Sequence, residues 1–341
     1  MVFGCTGTKL TPDERQFFEK SNPFGFILFQ RNCVSPEQVH TLIRELRLIV
    51  NDEDAPVFID QEGGRVARLK PPNWSKYPAA QIFGDIYDQD AELGVEAMRC
   101  YTRLVANELH KLGFTVNCAP VVDLHFKDAS SAIGDRAINR KPTVVAELAR
   151  LQAETFLENG ILPVIKHFPG HGRLKTDPHD VLPTIDATRA ELENDDFVPF
   201  ELLKDLPLGM NSHAIFSALD PNNPASLSSY VYNGVIRGRL GFDGLLFSDD
   251  ICMKALRGTP PELAKKVQAA GADVILHCNA ALDEMKAVAN ALQPIKDETM
   301  ARWARALSMR KLPSEPYNPV EDLAQLDLML GGIAFDAKSI G

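Results

Sequence analysis

Eight short apolar runs, each followed by a longer amphipathic segment, constrain the fold of this 341-residue chain more than any other feature. This alternation indicates repeated βα units, in which buried parallel strands are covered by helices. A count of eight, without a Gly-x-Gly-x-x-Gly turn, favours the α/β class and one closed (β/α)8 TIM barrel. An open doubly wound sheet stays as the alternative. The runs occupy residues 2–5, 25–29, 56–60, 114–122, 162–167, 208–213, 244–249 and 272–277.

The segments between the runs carry helix signals. Thr11-Pro12 and Ser35-Pro36 each place a capping side chain before a proline at the first helical position. Four predicted helices or their connections end at a C-cap glycine, namely Gly113, Gly160, Gly241 and Gly271. The further helices are predicted at 89–111, 142–159, 189–204, 229–239, 260–270 and 281–292.

Residues 294–341 do not continue the βα pattern. We predict a helix near 298–311, a Pro-rich connection and a short terminal helix. The expected organisation is a catalytic barrel over 1–293 and a short helical C-terminal extension over 294–341 that packs on the barrel.

The charge balance excludes several classes of function. A net charge of −10 with no basic run disfavours binding to nucleic acid or to an anionic membrane surface. No apolar stretch reaches about 18 residues, and the N-terminus does not resemble a secretory signal. The six scattered cysteines contain no Cys-x-x-Cys pair and are predicted to be reduced thiols. We therefore expect a cytoplasmic protein, and a monomer.

Ionisable side chains lie at the ends of five predicted strands. In a barrel of this kind the carboxyl ends of the strands form the active site. A single aspartate at such a place is often only the N-cap of the next helix, but five strand ends directed toward one mouth indicate a functional pocket. The residues are Asp60, Asp123, the pair Lys166-His167, His213 and the pair Asp249-Asp250.

Two kinds of chemistry fit these groups, and one is a metal site. The candidate ligands are His167, His171, His179 and His213 with Asp60, Asp177 and Asp249. Neither His-x-His nor His-Glu-x-x-His spacing occurs, and Lys166 would place a cation beside the metal. We therefore expect no metal and no cofactor, although a metal-dependent barrel hydrolase stays as an alternative.

The other chemistry is glycosyl transfer, which needs a nucleophilic carboxylate and a proton donor on opposite sides of the scissile bond. Asp249 would be the fixed carboxylate, and His179 has Asp177 close by to orient its ring. Lys166, His167, Arg136 and Asp60 could then bind sugar hydroxyl groups.

These motifs resemble glycoside hydrolase family 3, in its single-domain bacterial β-N-acetylhexosaminidase branch, over nearly the whole chain. Each motif alone is modestly specific, whereas all six in this order are very specific. They are GFILFQRN (25–32), DQEGGRVARL (60–69), APVVDL (119–124), IGDRA (133–137), KHFPGHGRLKTDPH (166–179) and FSDDICM (247–253).

The resemblance implies a role for each matched residue. Asp249, not Asp250, is the nucleophile of a retaining mechanism, and His179 is the general acid/base with Asp177 as its partner. The loop that carries His179 is expected to close over the substrate. The positions that match the sugar-binding residues are Asp60, Arg68, Arg136, Lys166 and His167.

The resemblance also implies a substrate: a terminal β-linked N-acetylglucosamine on 1,6-anhydro-N-acetylmuramic acid, with or without its peptide. The role would be peptidoglycan recycling in the cytoplasm of a Gram-negative bacterium. The chain departs from the family pattern at Pro178 and at Cys252, where the family commonly has Ser. Because proline restricts the backbone, a catalytically impaired sugar-binding protein stays as a further alternative.

Overall fold

The chain folds into a closed barrel of eight parallel strands, as predicted, and not into an open sheet. The computed structural model describes residues 1–176, 182–312 and 317–331. Neighbouring strands pair in parallel around the whole ring. The barrel strands are β1 (Val2–Gly4), β2 (Gly25–Leu28), β3 (Val57–Ile59), β4 (Val116–Asn117), β5 (Leu162–Phe168), β7 (Leu208–Asn211), β9 (Leu245–Asp250) and β10 (Val274–His277), and two outer strands are β6 (Thr184–Ile185) and β8 (Ile215–Phe216).

Alternation along each strand sorts the apolar residues into two cores. On β10, Val274 and Leu276 belong to the cluster that fills the barrel, whereas Ile275 packs in the outer cluster with the helices. Inside the barrel, Phe58 and Phe247 meet edge to face, with ring centroids 5.2 Å apart. This packed interior leaves room for a site only at the ends of the barrel.

Helices surround the strands, and the predicted caps are present. The Thr11 side chain accepts a hydrogen bond from the Glu14 N–H, and the Ser35 side chain accepts one from the Gln38 N–H. The α-helices are α1 (Pro12–Ser21), α2 (Pro36–Ile49), α3 (Ala80–Gln89), α4 (Ala91–Leu112), α5 (Pro142–Glu158), α6 (Arg189–Glu191), α7 (Phe197–Leu202), α8 (Pro260–Ala270), α9 (Leu282–Ala291), α10 (Asp297–Met309) and α11 (Pro319–Met329), with π-helical turns at Leu192–Asp196 and Tyr230–Arg239.

The structure corrects several predicted bounds. The helix predicted at 89–111 begins at Ala91, and a separate, unpredicted helix α3 precedes it. Asp90 divides the two helices because its carboxylate caps α4 by accepting the Leu93 N–H. The fourth apolar run, 114–122, forms only the two-residue strand β4. Its later residues lie at the barrel mouth, where Val121 forms a single bridge with Lys166. The parallel pair of β6 and β8 was also missed, because two-residue strands carry no periodic signal.

The C-terminal extension contains both predicted helices. Trp303 of α10 closes the base of the barrel, where its ring meets Phe24 with centroids 5.0 Å apart. Helix α11 packs against α4 through Arg103, whose guanidinium donates two hydrogen bonds of 2.6 Å to Asp322. The proposed boundary at residue 293 stays a prediction. Among the described residues, no helix is long and apolar enough to cross a membrane.

Candidate active site

A cavity of about 480 Å³ opens at the carboxyl ends of the strands. It is the place where barrels of this class carry their chemistry. The cavity brings together six of the eight residues that the sequence assigns to the site. These six are Asp60, Arg68, Arg136, Lys166, His167 and Asp249.

Asp60, which directly follows β3, pairs with two cations. Lys166 Nζ of β5 lies 3.0 Å from Asp60 Oδ1, and Arg68 Nη2 lies 2.9 Å from Asp60 Oδ2. Burial raises the pKa of Asp60, but Lys166 and Arg68 outweigh burial and hold the pKa well below its usual range. Asp60 is therefore a fixed carboxylate that can accept hydrogen bonds from hydroxyl groups in the cavity.

Glu62 links Lys166 to the next cation of the site. Its carboxylate accepts two hydrogen bonds of 2.8 Å from Arg136 and lies 2.6 Å from Lys166 Nζ. Burial raises the pKa of Glu62, but Arg136 and Lys166 lower it to about 2. Burial lowers the pKa of Lys166, whereas Glu62 and Asp60 raise it above its usual value. Both cations are thus held charged and oriented at the cavity wall.

His167 owes its orientation to Asp123. The ring Nδ1 of His167 lies 2.7 Å from Asp123 Oδ2, and the backbone N–H of His171 donates to Asp123 Oδ1 at 2.8 Å. The two imidazole rings stack with centroids 4.1 Å apart. Burial is the main reason why the pKa of His171 falls to about 3, so this ring is neutral near pH 7. Asp123 is therefore a partner of histidines and not a helix cap.

Asp249 and Asp250 have different surroundings although they are adjacent on β9. Asp250 Oδ1 accepts the backbone N–H groups of Cys252 and Cys278 at 3.0 and 3.1 Å, which ties this carboxylate into the strand ends. Both residues line the cavity and are partly exposed, and the Asp249 carboxylate accepts the N–H of Asp250 at 2.8 Å.

The environment of Asp249 keeps it ionised. Burial raises the pKa of this carboxyl group. Interactions with His213, His167 and the backbone N–H of Asp250 outweigh burial, and the pKa lies below its ordinary value. The pKa of Asp250 is raised by burial. The two carboxyl groups therefore differ in their hydrogen bonds and in the direction of their pKa shifts, although both line the cavity.

His213 does not face the cavity. It is buried, its Nδ1 lies 2.7 Å from Ser226 Oγ, and its Nε2 lies 3.0 Å from the carbonyl oxygen of Asp250. The ring therefore positions the end of β9. Asp177, Pro178 and His179, and with them the predicted acid/base dyad and its loop, lie outside the described residues.

Sequence reasoning gave Glu62 no role, and it named Asp123 only as a strand-end residue and His171 only as a candidate metal ligand. Glu62 stands two positions after Asp60 in the same strand-end loop, and this spacing was a usable signal. The contact between His171 and Asp123 could not be predicted, because the two residues are 48 positions apart in the sequence and only the barrel brings them together.

The metal-site alternative requires the predicted ligands to lie close to one another. The ligand atoms of Asp123, His167 and His171 lie within 4.8 Å of one another. Two other predicted ligands are engaged elsewhere, because Asp60 pairs with Lys166 and Arg68, and His213 contacts Ser226 and Asp250. The ligand set that the sequence suggested is therefore not assembled as a whole by the described residues.

A second cavity of about 490 Å³ lies at the opposite end of the barrel. Several of its charged side chains are paired with one another, since Asp273 contacts Arg237 at 2.7 Å and Arg302 at 2.9 Å. Because Asp273 directly precedes β10 and Arg302 belongs to α10, ion pairs of this kind join the helix to the barrel.

The fold and the first cavity define an α/β-barrel enzyme whose site presents an ionised carboxylate beside a set of fixed hydrogen-bonding groups. Such a site suits substitution at the anomeric carbon of a glycoside. The family model described as glycosyl hydrolase family 3 N terminal domain matches residues 5–309. The chain belongs to this family, and it is a glycoside hydrolase.

Individual relatives agree with the family. A "Beta-hexosaminidase" of Thioalkalivibrio sulfidiphilus is 38% identical over 89% of this chain and 88% of its own length. A "Beta-hexosaminidase" of Chromobacterium violaceum is 33% identical over 100% of this chain and 97% of its own. Among solved structures, NagZ from Neisseria gonorrhoeae in complex with N-trifluoroacetyl-D-glucosamine superposes with a TM-score of 0.86, is 28% identical and covers 98% of both chains.

Proposed function

We propose that the protein is a retaining exo-β-N-acetylglucosaminidase that removes terminal β-linked N-acetylglucosamine from cell-wall fragments. One observation carries the proposal. Asp249 and Asp250 both line the cavity, but the pKa of Asp249 is lowered, whereas that of Asp250 is raised and its carboxylate is held by two backbone N–H groups. A nucleophile of a retaining glycosidase needs this combination of position and charge.

The proposed reaction has two steps. An Asp249 carboxylate oxygen attacks the anomeric carbon, the bond to the leaving-group oxygen breaks, and protonated His179 gives that oxygen its proton. A water molecule then attacks the same carbon and gives a proton to His179, and Asp249 leaves as the carboxylate. Asp177 would support the protonated ring of His179 before the first step and after the second, and would orient the neutral ring in between.

The charged groups of the cavity would hold the sugar. Asp60 would accept hydrogen bonds from sugar hydroxyl groups, and Lys166, His167, Arg68 and Arg136 would donate to hydroxyl oxygens. All of these groups are held in place by pairs such as Asp60–Lys166 and His167–Asp123 before substrate arrives. This preorganisation lowers the cost of binding, since few side chains have to be ordered.

The acetamido sugar is favoured by the relatives. Two of them are named "Beta-hexosaminidase", and one solved neighbour holds N-trifluoroacetyl-D-glucosamine. We extend the proposal to N-acetylglucosamine linked to 1,6-anhydro-N-acetylmuramic acid, with or without peptide, and to a role in cytoplasmic peptidoglycan recycling.

The first experiment follows release of nitrophenol from 4-nitrophenyl N-acetyl-β-D-glucosaminide, with the β-glucoside in parallel and both with and without EDTA. We expect turnover of the acetamido sugar that EDTA does not reduce, and little turnover of the glucoside. Loss of activity in EDTA would favour the metal-dependent hydrolase instead. Sugar binding without turnover would favour the impaired binding protein.

A matched pair of variants tests the nucleophile. Asp249→Ala should abolish turnover and leave the thermal unfolding curve unchanged, whereas Asp250→Asn should keep measurable turnover because that carboxylate has a structural role. A 5-fluoro analogue of N-acetylglucosaminyl fluoride should label the wild-type chain, and peptide mass spectrometry should locate the label on Asp249. A label on Asp250, or an active Asp249→Ala enzyme, would contradict the assignment.

A further inference from the structure

Behind the end of β10, three side chains of different chemical types converge outside the catalytic cavity. Cys252 lies in the loop after β9, His277 ends β10, and Glu284 lies in the first turn of α9. Their sulfur, ring nitrogen and carboxylate oxygen lie within 4.8 Å of one another. We call these three residues the thiol cluster. None of them lines the cavity that contains Asp249.

His277 is the unusual member of this cluster. Its ring is fully buried beside Phe3, with centroids 5.8 Å apart. Within residues 1–176, 182–312 and 317–331, neither ring nitrogen of His277 has a hydrogen-bond partner within 3.5 Å, although Glu284 Oε2 lies 3.6 Å from Nε2. A buried polar group without a hydrogen bond costs about 1–3 kcal/mol, so such a ring needs an explanation. A ligand that accepts the ring nitrogen's lone pair would supply one.

The other two members are placed to complete a coordination sphere. Glu284 Oε2 lies 3.6 Å from His277 Nε2. Two ligand atoms of a tetrahedral metal ion with bonds of about 2.1 Å are separated by nearly this distance. Asn279 Nδ2 donates to Glu284 Oε2 at 2.7 Å and thereby orients the carboxylate from outside the cluster. Cys252 is the only one of the six cysteines that is not buried.

A thiol, an imidazole and a carboxylate form a donor set that suits Zn²⁺. We propose that Cys252, His277 and Glu284 bind one zinc ion, with water in the fourth position. The site ties the loop after β9 to the start of α9. Asp250 Oδ1 accepts the N–H of Cys252, so the site lies next to the end of β9, but the metal takes no part in the reaction and its removal by EDTA should leave turnover unchanged.

The charge balance of the site is favourable. The Cys252 thiol loses its proton when the metal–sulfur bond forms. The resulting thiolate and the carboxylate of Glu284 then neutralise the two charges of the ion.

Cobalt is the probe that distinguishes this site from the group of Asp123, His167 and His171, which contains no sulfur. Co²⁺ is titrated into the chelator-treated full-length protein while the near-ultraviolet spectrum is recorded. We expect a thiolate-to-cobalt charge-transfer band that saturates at one equivalent and is removed by Zn²⁺. Absence of this band in the wild-type protein would overturn the proposal.

Three variants complete the test. Cys252→Ser should remove the band, whereas Cys100→Ser, at a buried cysteine of α4, should keep it. Glu284→Gln alters a side chain that is 43% exposed, so the fold should survive, and cobalt affinity should fall roughly tenfold or more. A band that persists in Cys252→Ser, or unchanged affinity in Glu284→Gln, would refute the three-residue site.

Discussion

Glu62→Gln should damage both stability and catalysis, although Glu62 was not assigned a role from the sequence. Glutamine keeps the size of the side chain but removes the charge that faces Arg136 and Lys166. Loss of one partner from a buried ion pair typically costs about 3–5 kcal/mol, because the remaining charges stay desolvated. Glu62 is buried, and both of its cations are nearly so, which places this case within that range.

The expected shift in melting temperature follows from chain length. At about 2.1 cal/mol/K per residue, unfolding of the whole chain carries an entropy of about 0.7 kcal/mol/K. A loss of about 3–5 kcal/mol therefore lowers the melting temperature by about 4–7 °C. Because Arg136 and Lys166 also lose their fixed positions, kcat/KM on the nitrophenyl N-acetylglucosaminide should fall on the order of 100-fold.

The pH dependence has a definite sign. The folded-state pKa of Glu62, about 2, is below its ordinary value of 4.5. A carboxyl group with a lowered folded-state pKa stabilises the fold above its unfolded-state pKa and loses that contribution as the pH falls. The stability difference between wild type and Glu62→Gln should therefore be full above about pH 4.5 and should shrink as the pH falls toward about 2.

The assay combines calorimetry between about pH 2 and pH 7, which covers the interval in which Glu62 titrates, with steady-state kinetics. Glu298→Gln is the matched control, because Glu298 pairs with Arg302 but is 67% exposed. An exposed pair of this kind contributes about 0–1 kcal/mol, so the control should change neither melting temperature nor kcat/KM. If Glu62→Gln stays within about 1 kcal/mol of wild type and keeps its activity, the reasoning from the buried ion network is wrong.

Three further predictions test other parts of the molecule. His179→Ala should reduce hydrolysis of natural disaccharide fragments far more than hydrolysis of activated aryl glycosides, which need little protonation; equal losses on both would remove His179 from the acid role. Burial raises the pKa of Glu108 to about 8, although a hydrogen bond with the backbone of Ser75 acts in the opposite direction. The fold therefore loses stability as the pH rises from about 4.5 to about 8. Glu108→Gln should therefore stabilise the protein at pH 8 more than at pH 5 in denaturant titrations, and an equal effect at both would contradict that pKa. Trp303→Ala should cost about 3–5 kcal/mol of unfolding free energy because the ring closes the base of the barrel; a change below about 1 kcal/mol would mean that α10 is not part of the core.

The barrel could be predicted because its signal is local. Each strand is a short apolar run, and the helices at Pro12 and Pro36 begin with capping residues that act on their own backbone. Prediction failed where local signals are weak, as in the two-residue strands β6 and β8 and in the division of α3 from α4 by Asp90. Short strands of this kind exist only because neighbouring backbone is available for pairing.

The sequence by itself determined the number of βα units, the end of the barrel that carries the polar residues and the motifs that place the chain in its family. Only the tertiary structure decided how those polar residues are used. It tied Asp250 to two backbone N–H groups, it lowered the pKa of Asp249 in the same cavity, and it gave His167 a partner in Asp123. The reason is physical: helix and strand signals depend on a few adjacent residues, whereas the charge and orientation of a buried side chain depend on groups brought from distant segments.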